Sequence, residues 1–419
     1  MKEKTTTLFY LLVYKISYEI IYANVSSRIF SYSGLTWHPV VWKCVLSYVL
    51  FFCLALLPER KETVTKYLLN IYFVFTIIPM LSLFWQSDRS VSYILMCTTC
   101  YLIMHMGCYF RNTEKATRIV VGNFFEKVNI SSMLIVVILI LILMFSIRYG
   151  VADFRALNLE NVYSVRDERE FSGIWGYIIN WMPYAIVPCI MCIGLYRKNN
   201  LQIIIAVIIQ VYLFLFTGSK TTLFSIALIL FSYYLAANQK KFIKWWTIAL
   251  SGLNIITTFI YLWIGELMPF AIFPIRLLTI PASISNNHYD FFCNNPKLYF
   301  AENIIGRLFG IESPYDTFST YLVSTGSGNA NTGLLGDAYD NGGFLVMLLY
   351  AVIFVLIFRY IERIYNLHQG DKRALPVFVG VLTYSMIYLN DGSLTALLIT
   401  GGLIINIFVL MQFGKWKRE

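Results

Sequence analysis

The chain has 419 residues, of which 58% are hydrophobic and only 13% are charged, and its mean hydropathy is +0.65. This composition excludes a soluble globule, whose surface would need far more charge. The formal net charge is +10, but the basic residues are divided among short segments between apolar runs, so nucleic acid is not indicated as a partner.

Runs of about 17 to 25 apolar residues recur along the chain, and each is long enough to cross the hydrocarbon core of a bilayer. Lipid offers no partner to an unpaired amide, so these runs must be helical. The sequence therefore predicts an all-α polytopic membrane protein, a single integral membrane domain over 1–419, with about twelve transmembrane helices. The candidate spans are 8–26, 39–57, 67–86, 91–110, 130–148, 173–195, 201–216, 222–237, 245–264, 335–358, 375–390 and 393–412.

The basic residues predict how these helices are oriented. If the N-terminus is cytoplasmic, most of the 33 lysines and arginines fall in the shorter loops on the inner side, as the positive-inside rule requires. Both termini are then cytoplasmic, and a large outer segment, 265–333, separates the ninth helix from the tenth. Lys15 and Glu19 interrupt the first apolar run, which has no small-residue cleavage site and is interpreted as a retained helix.

The first outer feature is a charged loop, 148–172. Its opposite charges could simply cancel in solvent, but Arg166 stands near the point where the chain re-enters the membrane. A guanidinium group there matches the oxygens of a lipid-linked phosphate with a bidentate fork. Arg166 is therefore a candidate phosphate-binding residue.

A short turn, 217–222, is the second outer feature. Gly218 permits the reversal, and the next helix points its amide-rich N-terminus and Lys220 outward, where an anion is stabilised. Lys220 is thus a second candidate for binding an anion. The alternative is that its ammonium group only reaches the membrane interface, as most lysines at helix ends do.

The segment 265–333 is a polar stretch, rich in glycine and asparagine, in an otherwise apolar chain. Its amphipathic character predicts a partly re-entrant or interfacial element. Arg276 lies in its apolar first part, where an arginine costs about 2.5 to 3.5 kcal/mol to insert, so it should face a wet cavity or an anion. It is the third candidate for binding an anion, and the alternative is an ion pair with Glu266.

His288 and Asp290 lie within this segment, and Asp337, just beyond its end, is the carboxylate nearest the membrane edge. His288 and Asp290 are two positions apart, so they lie on different faces of a helix. The four histidines of the chain are scattered, and neither a metal site nor a cofactor is predicted.

Small residues and amides make up the run 328–339, which leads into the tenth helix. Asn329 and Asn331 can present amides to sugar hydroxyls without a charge cost, and Tyr339 is grouped with them as a sugar-binding residue. The alternative is that this run only caps the helix and packs it against a neighbour.

Taken together, these features resemble the Wzy-type O-antigen or capsule repeat-unit polymerases of bacteria. In chain order the features are Tyr14-Lys15, Ser17-Tyr18, Tyr163-x-x-Arg166, Trp181, Pro188, Gly218-Ser219-Lys220, Arg276 with Pro281, Tyr289-x-Phe291-Phe292, Asn295-Pro296 and Asn331-x-Gly333-x-x-Gly336-Asp337-x-Tyr339. They extend over most of the chain, and their order, more than any one motif, carries the resemblance.

The resemblance implies an inverting membrane glycosyltransferase at the periplasmic face of the bacterial inner membrane. Such an enzyme transfers a growing glycan from undecaprenyl pyrophosphate to a new lipid-linked repeat unit. Its partners would be the undecaprenyl-pyrophosphate-linked oligosaccharide, the lipid bilayer and a chain-length regulator protein. The first outer loop, 27–43, has no carboxylate, unlike that of the metal-dependent membrane glycosyltransferases that use lipid-phosphate sugars, so a metal-independent mechanism is expected.

The resemblance also implies roles for the candidate residues. Three cations, Arg166, Lys220 and Arg276, would bind the pyrophosphate and stabilise its developing charge as it leaves. A general base would accept the proton of the acceptor hydroxyl group. Asp337 is preferred for this role because Gly336 and Ala338 leave room for a sugar beside it, and Asp290 and His288 follow.

Three other classes of protein stay open at this point. A lipid-linked oligosaccharide flippase would also have about twelve helices, but in two related halves with short outer loops. An O-antigen ligase shares the large outer loop and the carrier lipid, and differs only in the acceptor. A membrane scaffold would not need cations such as Lys220 and Arg276 at membrane depth.

Overall fold

The structure, a computed structural model, describes residues 2–60, 62–110, 130–158, 162–238, 241–323, 332–368 and 371–415. It is 80% helical, and the described residues form no strand. Ten of their helices are long and apolar enough to cross a membrane, and shorter apolar helices accompany them. The predicted class, an all-α polytopic membrane protein, is confirmed.

The long helices follow the apolar runs of the sequence, because a segment in lipid has to hydrogen-bond its own backbone. In chain order they are α1 (Lys2–Ile21), α2 (Val41–Ala55), α3 (Val64–Gln86), α4 (Val91–Tyr109), α5 (Ile130–Tyr149), α6 (Ile174–Arg197), α7 (Asn200–Thr217), α8 (Lys220–Ala237), α9 (Phe242–Ile264), α10 (Leu267–Asn294), α11 (Leu334–Asn366), α12 (Ala374–Tyr388) and α13 (Leu394–Phe413). Shorter helices at Val162–Asp167, Ile304–Phe309 and Ser319–Leu322 lie between them.

Helix α10 has no counterpart among the spans expected from the sequence. It occupies the first half of the segment 265–333, and its 28 residues contain a window with a mean hydropathy of 1.6. The polar run 283–290 in its second half conceals this apolar character from a count of long apolar stretches. Gly265, with a φ of +83°, ends α9 and turns the chain directly into α10.

Both ends of α10 contact the same end of the bundle, where α3 stops and α4 begins; we call this the site end. Helix α1 also ends there. Near the start of α10, the ring centroid of Phe270 lies 6.3 Å from that of Phe30, which follows α1. Near its finish, Asp290 accepts a hydrogen bond of 3.2 Å from Arg89, between α3 and α4. Helix α10 therefore begins and ends at the site end, while its π-helical middle reaches into the bundle and contacts the π-helical turn of α3.

Helix α3 forms the centre of the bundle and α5 lies at its edge. The apolar window of α3 is 94% buried and that of α5 only 28%, yet α5 has the higher mean hydropathy, 3.0 against 1.9. A helix surrounded by protein can carry polar groups that find partners, whereas a helix facing lipid on most sides must be apolar all round. Hydropathy alone thus does not identify the core of this protein.

Prolines interrupt the backbone hydrogen bonds of α3, α6 and α10, and a π-helical turn stands at each interruption. Because proline has no N–H, a carbonyl one turn earlier loses its donor. In α10 the carbonyl of Leu277, four residues before Pro281, accepts a hydrogen bond of 2.8 Å from Asn390 Nδ2. In α3 the carbonyl of Val74 accepts one of 3.2 Å from the Tyr14 hydroxyl. These bonds tie α10 to the end of α12, and α3 to α1.

A buried ion pair in α1 joins Lys15 and Glu19, one helical turn apart. The Lys15 ammonium also donates to Ser47 of α2 at 3.1 Å and to Ser82 of α3 at 3.2 Å. Glu19 accepts hydrogen bonds from further side chains of the same two helices. The pair therefore links three helices. This structural role explains why two charged residues stand in the first apolar run of the sequence.

Breaking this pair on one side should be more harmful than removing both charges. Lys15→Met leaves the Glu19 carboxylate buried without its cation, and we expect it to lower the free energy of unfolding by about 3 to 5 kcal/mol. The double variant Lys15→Met, Glu19→Gln should recover part of this loss. Thermal unfolding of the purified protein in detergent measures both, with the exposed Lys4→Met as the matched control. Equal stability of the single variant and the control would contradict a structural role.

Candidate functional site

A polar cavity of about 270 Å³ lies at the site end, between the start of α11, the segment 298–320 and the turn that joins α12 to α13. Four carboxylates line it, those of Glu302, Asp337, Asp340 and Asp391. The other polar lining residues are Asn303, Ser319, Thr320, Thr332, Asn341, Tyr388 and Ser393. We call this space the acidic cavity.

Asp337, the predicted general base, stands in the first turn of α11 and lines the acidic cavity. Its carboxylate accepts hydrogen bonds from the Tyr350 hydroxyl at 3.1 Å and from Asn341 Nδ2 at 3.3 Å. Both donors are neutral, so they orient the carboxylate without cancelling its charge. An oriented carboxylate that opens onto a polar cavity is placed to accept a proton from a bound hydroxyl group.

Asp340 lies one turn further along α11 and is buried against His288 of α10. The distance from His288 Nδ1 to Asp340 Oδ2 is 2.5 Å. His288 does not line the acidic cavity, so it reaches the cavity only through Asp340. Sequence reasoning named His288 and missed Asp340, although the spacing of three residues from Asp337 to Asp340 puts both on one helical face.

Asp391 and Glu302 complete the acidic wall, and neither was predicted. The Asp391 side chain is solvent-accessible where it faces the cavity, but protein atoms surround its other sides. The resulting desolvation raises the pKa of its carboxyl group to about 6. Glu302 accepts hydrogen bonds from the backbone N–H and the hydroxyl of Ser319 at 2.7 and 2.6 Å. In the sequence, Asp391 lies in a turn between two apolar helices, and nothing there indicates that it lines a cavity with other carboxylates.

Asp290, the other candidate base, is placed away from the acidic cavity. It is exposed on α10, where its carboxylate pairs with Arg89 at 3.2 Å. His288 points into the protein from the opposite face, as a spacing of two residues on a helix predicts. Of the three proposed bases, Asp337 alone lines the cavity.

The residues grouped as sugar-binding are only partly described. Asn329 and Asn331 lie outside the described residues. Tyr339 is buried, and its ring lies 3.6 Å from the Lys297 ammonium and 4.7 Å, between centroids, from the ring of Tyr289. Tyr339 precedes Asp340 in the chain, and Lys297 lies close enough to interact with the Asp340 carboxylate. These contacts therefore belong to the protein that surrounds Asp340 behind the cavity.

The charged loop 148–172 is held by its own ion pairs. Arg155 binds Asp153 and Glu168, both at 2.6 Å. Hydrogen bonds from Arg155 hold the pKa of the Asp153 carboxyl group below its usual value. Arg169 donates to the backbone carbonyls of Phe216 and Val151, at 2.5 and 2.6 Å. The alternative of internally cancelling charges therefore describes much of this loop.

Arg166 and Lys220 lie on either side of the turn at Gly218. Gly218 has a φ of +61°, and a Cβ atom there would come within 2.7 Å of the Val162 carbonyl and 3.2 Å of the Arg166 amide nitrogen. Only glycine fits this close approach. The turn therefore packs directly against the helix that carries Arg166, whose side chain is 58% exposed.

Arg276 is exposed on the π-helical part of α10, and the described residues do not give it the alternative ion pair with Glu266. It stands near the start of α8, because the rings of Phe224 and Phe273 lie 5.4 Å apart between centroids. Phe224 is one turn beyond Lys220, and Phe273 is three residues before Arg276. The fold thus brings the elements that carry the three predicted phosphate-binding cations to one region of the site end.

Aromatic side chains extend from this cationic region to the acidic cavity. The Tyr184 hydroxyl lies 3.4 Å from Ser219 Oγ, and its ring stacks on Tyr384 with centroids 4.1 Å apart. Tyr384 lies 6.2 Å, between centroids, from Tyr388, which lines the cavity. These rings, two of them buried, pack between the cationic region and the acidic cavity and connect the two regions through the protein.

Although four carboxylates line the acidic cavity, no three histidine, cysteine or acidic side chains in the described part of the chain lie close enough together to hold one metal ion. Metal independence itself stays a prediction. Comparisons with protein-family models, with curated proteins and with solved structures return no match. The fold and the site together define an α-helical polytopic membrane protein with a polar, acidic cavity at one end of its bundle.

Proposed function

We propose that this protein is a membrane glycosyltransferase that polymerises undecaprenyl-pyrophosphate-linked O-antigen or capsule repeat units. The acidic cavity lined by Asp337, at the same end of the bundle as the predicted phosphate-binding cations, is the observation that carries this proposal. The site end would face the periplasm of a bacterial inner membrane, with both termini in the cytoplasm. Besides its lipid-linked substrates, the enzyme would work with a chain-length regulator protein.

The cationic region takes the leaving group in this proposal. Pyrophosphate already departs readily, so the enzyme need not protonate it, but its developing negative charge has to be stabilised. Arg166, Lys220 and Arg276 supply positive charge for this purpose. The guanidinium groups bind phosphate oxygens in pairs, and the Lys220 ammonium adds a point charge at the N-terminus of α8.

The acidic cavity takes the acceptor sugar. One of its hydroxyl oxygens attacks the anomeric carbon of the growing chain from the face opposite the pyrophosphate, while Asp337 accepts the hydroxyl proton. The new C–O bond forms as the bond to the pyrophosphate oxygen breaks, and that oxygen keeps the electron pair. Attack from the opposite face inverts the anomeric configuration.

Asp337 is preferred to the other two candidate bases for geometric reasons. Asp290 is already paired with Arg89 outside the cavity. His288 is buried and bonded to Asp340, so a substrate hydroxyl group could not reach its ring. We assign His288 the role of positioning Asp340 in the cavity wall.

The surface glycan of a strain that lacks this protein distinguishes the proposal from its alternatives. Loss of polymerisation leaves a single repeat unit on the surface, because flipping and ligation still operate. We therefore expect the ladder of glycan lengths to disappear while one capped repeat remains, and a plasmid copy to restore the ladder. Loss of every repeat would indicate a flippase or an O-antigen ligase, and an unchanged ladder would refute a role in polymerisation.

A further inference from the structure

The acidic cavity carries an excess of negatively charged groups. Its wall carries four carboxylates, and among the described residues no lysine, arginine or histidine lines it. His288 and Lys297 approach Asp340 from behind the wall and offset part of its charge. A cavity lined by one sign of charge concentrates ligands of the opposite sign and repels those of the same sign.

Two polar atoms in this wall have no hydrogen-bond partner among the described residues. They are Asp340 Oδ1 and Thr332 Oγ1, and their residues are only 1% and 9% exposed. A buried acceptor without a donor is costly, and such atoms are rare in folded proteins. Asp340 lines the cavity and uses its other oxygen for His288, so Oδ1 is an unpartnered acceptor at the cavity wall.

We propose that the acidic cavity is a sugar subsite for a neutral or amino sugar and that it excludes uronic acids and other anionic sugars. This inference rests on the proposed function, in which the cavity holds the acceptor. Sugar hydroxyl and ammonium groups donate hydrogen bonds, and bonds to an ionised acceptor are stronger than bonds between neutral groups. A sugar carboxylate brings no donor and adds a like charge to Asp337, Asp340 and their neighbours.

The size of the cavity agrees with one sugar ring. A volume of about 270 Å³ corresponds to about nine water molecules at their share of liquid volume. Glu302 and Asp391 face Asp337 across this space from two other elements of the fold. A sugar ring held between them has hydrogen-bond acceptors on several sides. Polar groups placed in this way make a site specific for the positions of the donor groups on the sugar.

Electrostatic selectivity can be measured without any polymerisation assay. Thr320→Cys places a thiol in the cavity wall, in a background where the exposed Cys53 and Cys293 are changed to serine. We expect a cationic methanethiosulfonate to modify this thiol about tenfold or more faster than an anionic one of similar size. Ser172→Cys, exposed in the charged loop, is the matched control and should show little preference. Asp391→Asn with Glu302→Gln should reduce the preference at Thr320→Cys.

Methyl glycosides then identify the sugar class by protecting the same thiol. The neutral and amino probes are the methyl glycosides of glucose, galactose, mannose, rhamnose, glucosamine and galactosamine, and the anionic probes are those of glucuronic and galacturonic acid. We expect at least one neutral or amino glycoside at millimolar concentration to slow modification, and neither uronide to do so.

Equal rates for the two reagents, protection by a uronide, or no protection by any neutral or amino glycoside would overturn the inference. The proposed function fails in a different experiment, when the deletion strain keeps its glycan ladder. The two failures are therefore distinguishable.

Discussion

Asp337→Asn is expected to reduce the rate of glycan polymerisation by about a hundred- to ten-thousandfold, the usual contribution of a general base. Asparagine keeps the shape of the side chain and an oxygen that can accept the hydrogen bonds from Tyr350 and Asn341, but it accepts no proton. The measurement uses purified protein with lipid-linked repeat units, and gel analysis of product length against time gives the rate.

Asp290→Asn is the matched control, because it removes a carboxylate that was also a candidate base but lies outside the cavity. It should keep near-normal activity. If Asp337→Asn also polymerises at a near-normal rate, the base is another group of the site. The same assay in EDTA should show undiminished activity, and a loss that magnesium or manganese restores would contradict a metal-independent mechanism.

Arg276→Ala is expected to abolish polymerisation while the protein still accumulates in the membrane. Arg276 is exposed on α10, so its removal leaves no buried partner unpaired, and the loss should come from weaker stabilisation of the pyrophosphate. Arg276→Lys should rescue poorly, because lysine keeps the charge but lacks the planar fork that matches phosphate oxygens. Surface-glycan banding and immunoblotting of membranes report activity and amount together.

Arg307→Ala supplies the control for this variant, since Arg307 is also exposed and lies in the same segment. It should leave the ladder intact. Arg166→Ala should behave as Arg276→Ala does if both cations bind one leaving group. Wild-type banding from the alanine variants would exclude these arginines from the site, and wild-type banding from Arg276→Lys would reduce the role of Arg276 to bulk charge.

The sequence predicts most of this fold because the requirement that creates the helices is local. A run of apolar residues in lipid has to satisfy its own backbone, and helices such as α3 and α5 follow directly. Helix α10 is harder to predict, because apolar and polar halves share one helix. The position of this helix depends on contacts with Arg89 and Asn390, which lie far away in the sequence.

The site residues also differ in whether the sequence predicts them. Asp337 is predictable because its neighbours Gly336 and Ala338 already leave space beside it. Asp391 is not, because its part in the cavity exists only once α12 and α11 are packed, when the backbone of Leu334 bonds that of Leu389. The sequence also cannot tell that His288 stands behind Asp340, since 52 residues separate them.

The hydrogen bond from Asn390 to Leu277 sets an order of events while the chain is being made. The two residues are 113 positions apart, and a chain is synthesised from its N-terminus. Helix α10 therefore leaves the ribosome long before the donor that satisfies its Leu277 carbonyl. Until α12 has been inserted, α10 can rest only on earlier segments such as the one that carries Arg89. The site end of this protein would then be its last part to mature, and a nascent chain that stops before α12 would lack the turn that closes one side of the acidic cavity.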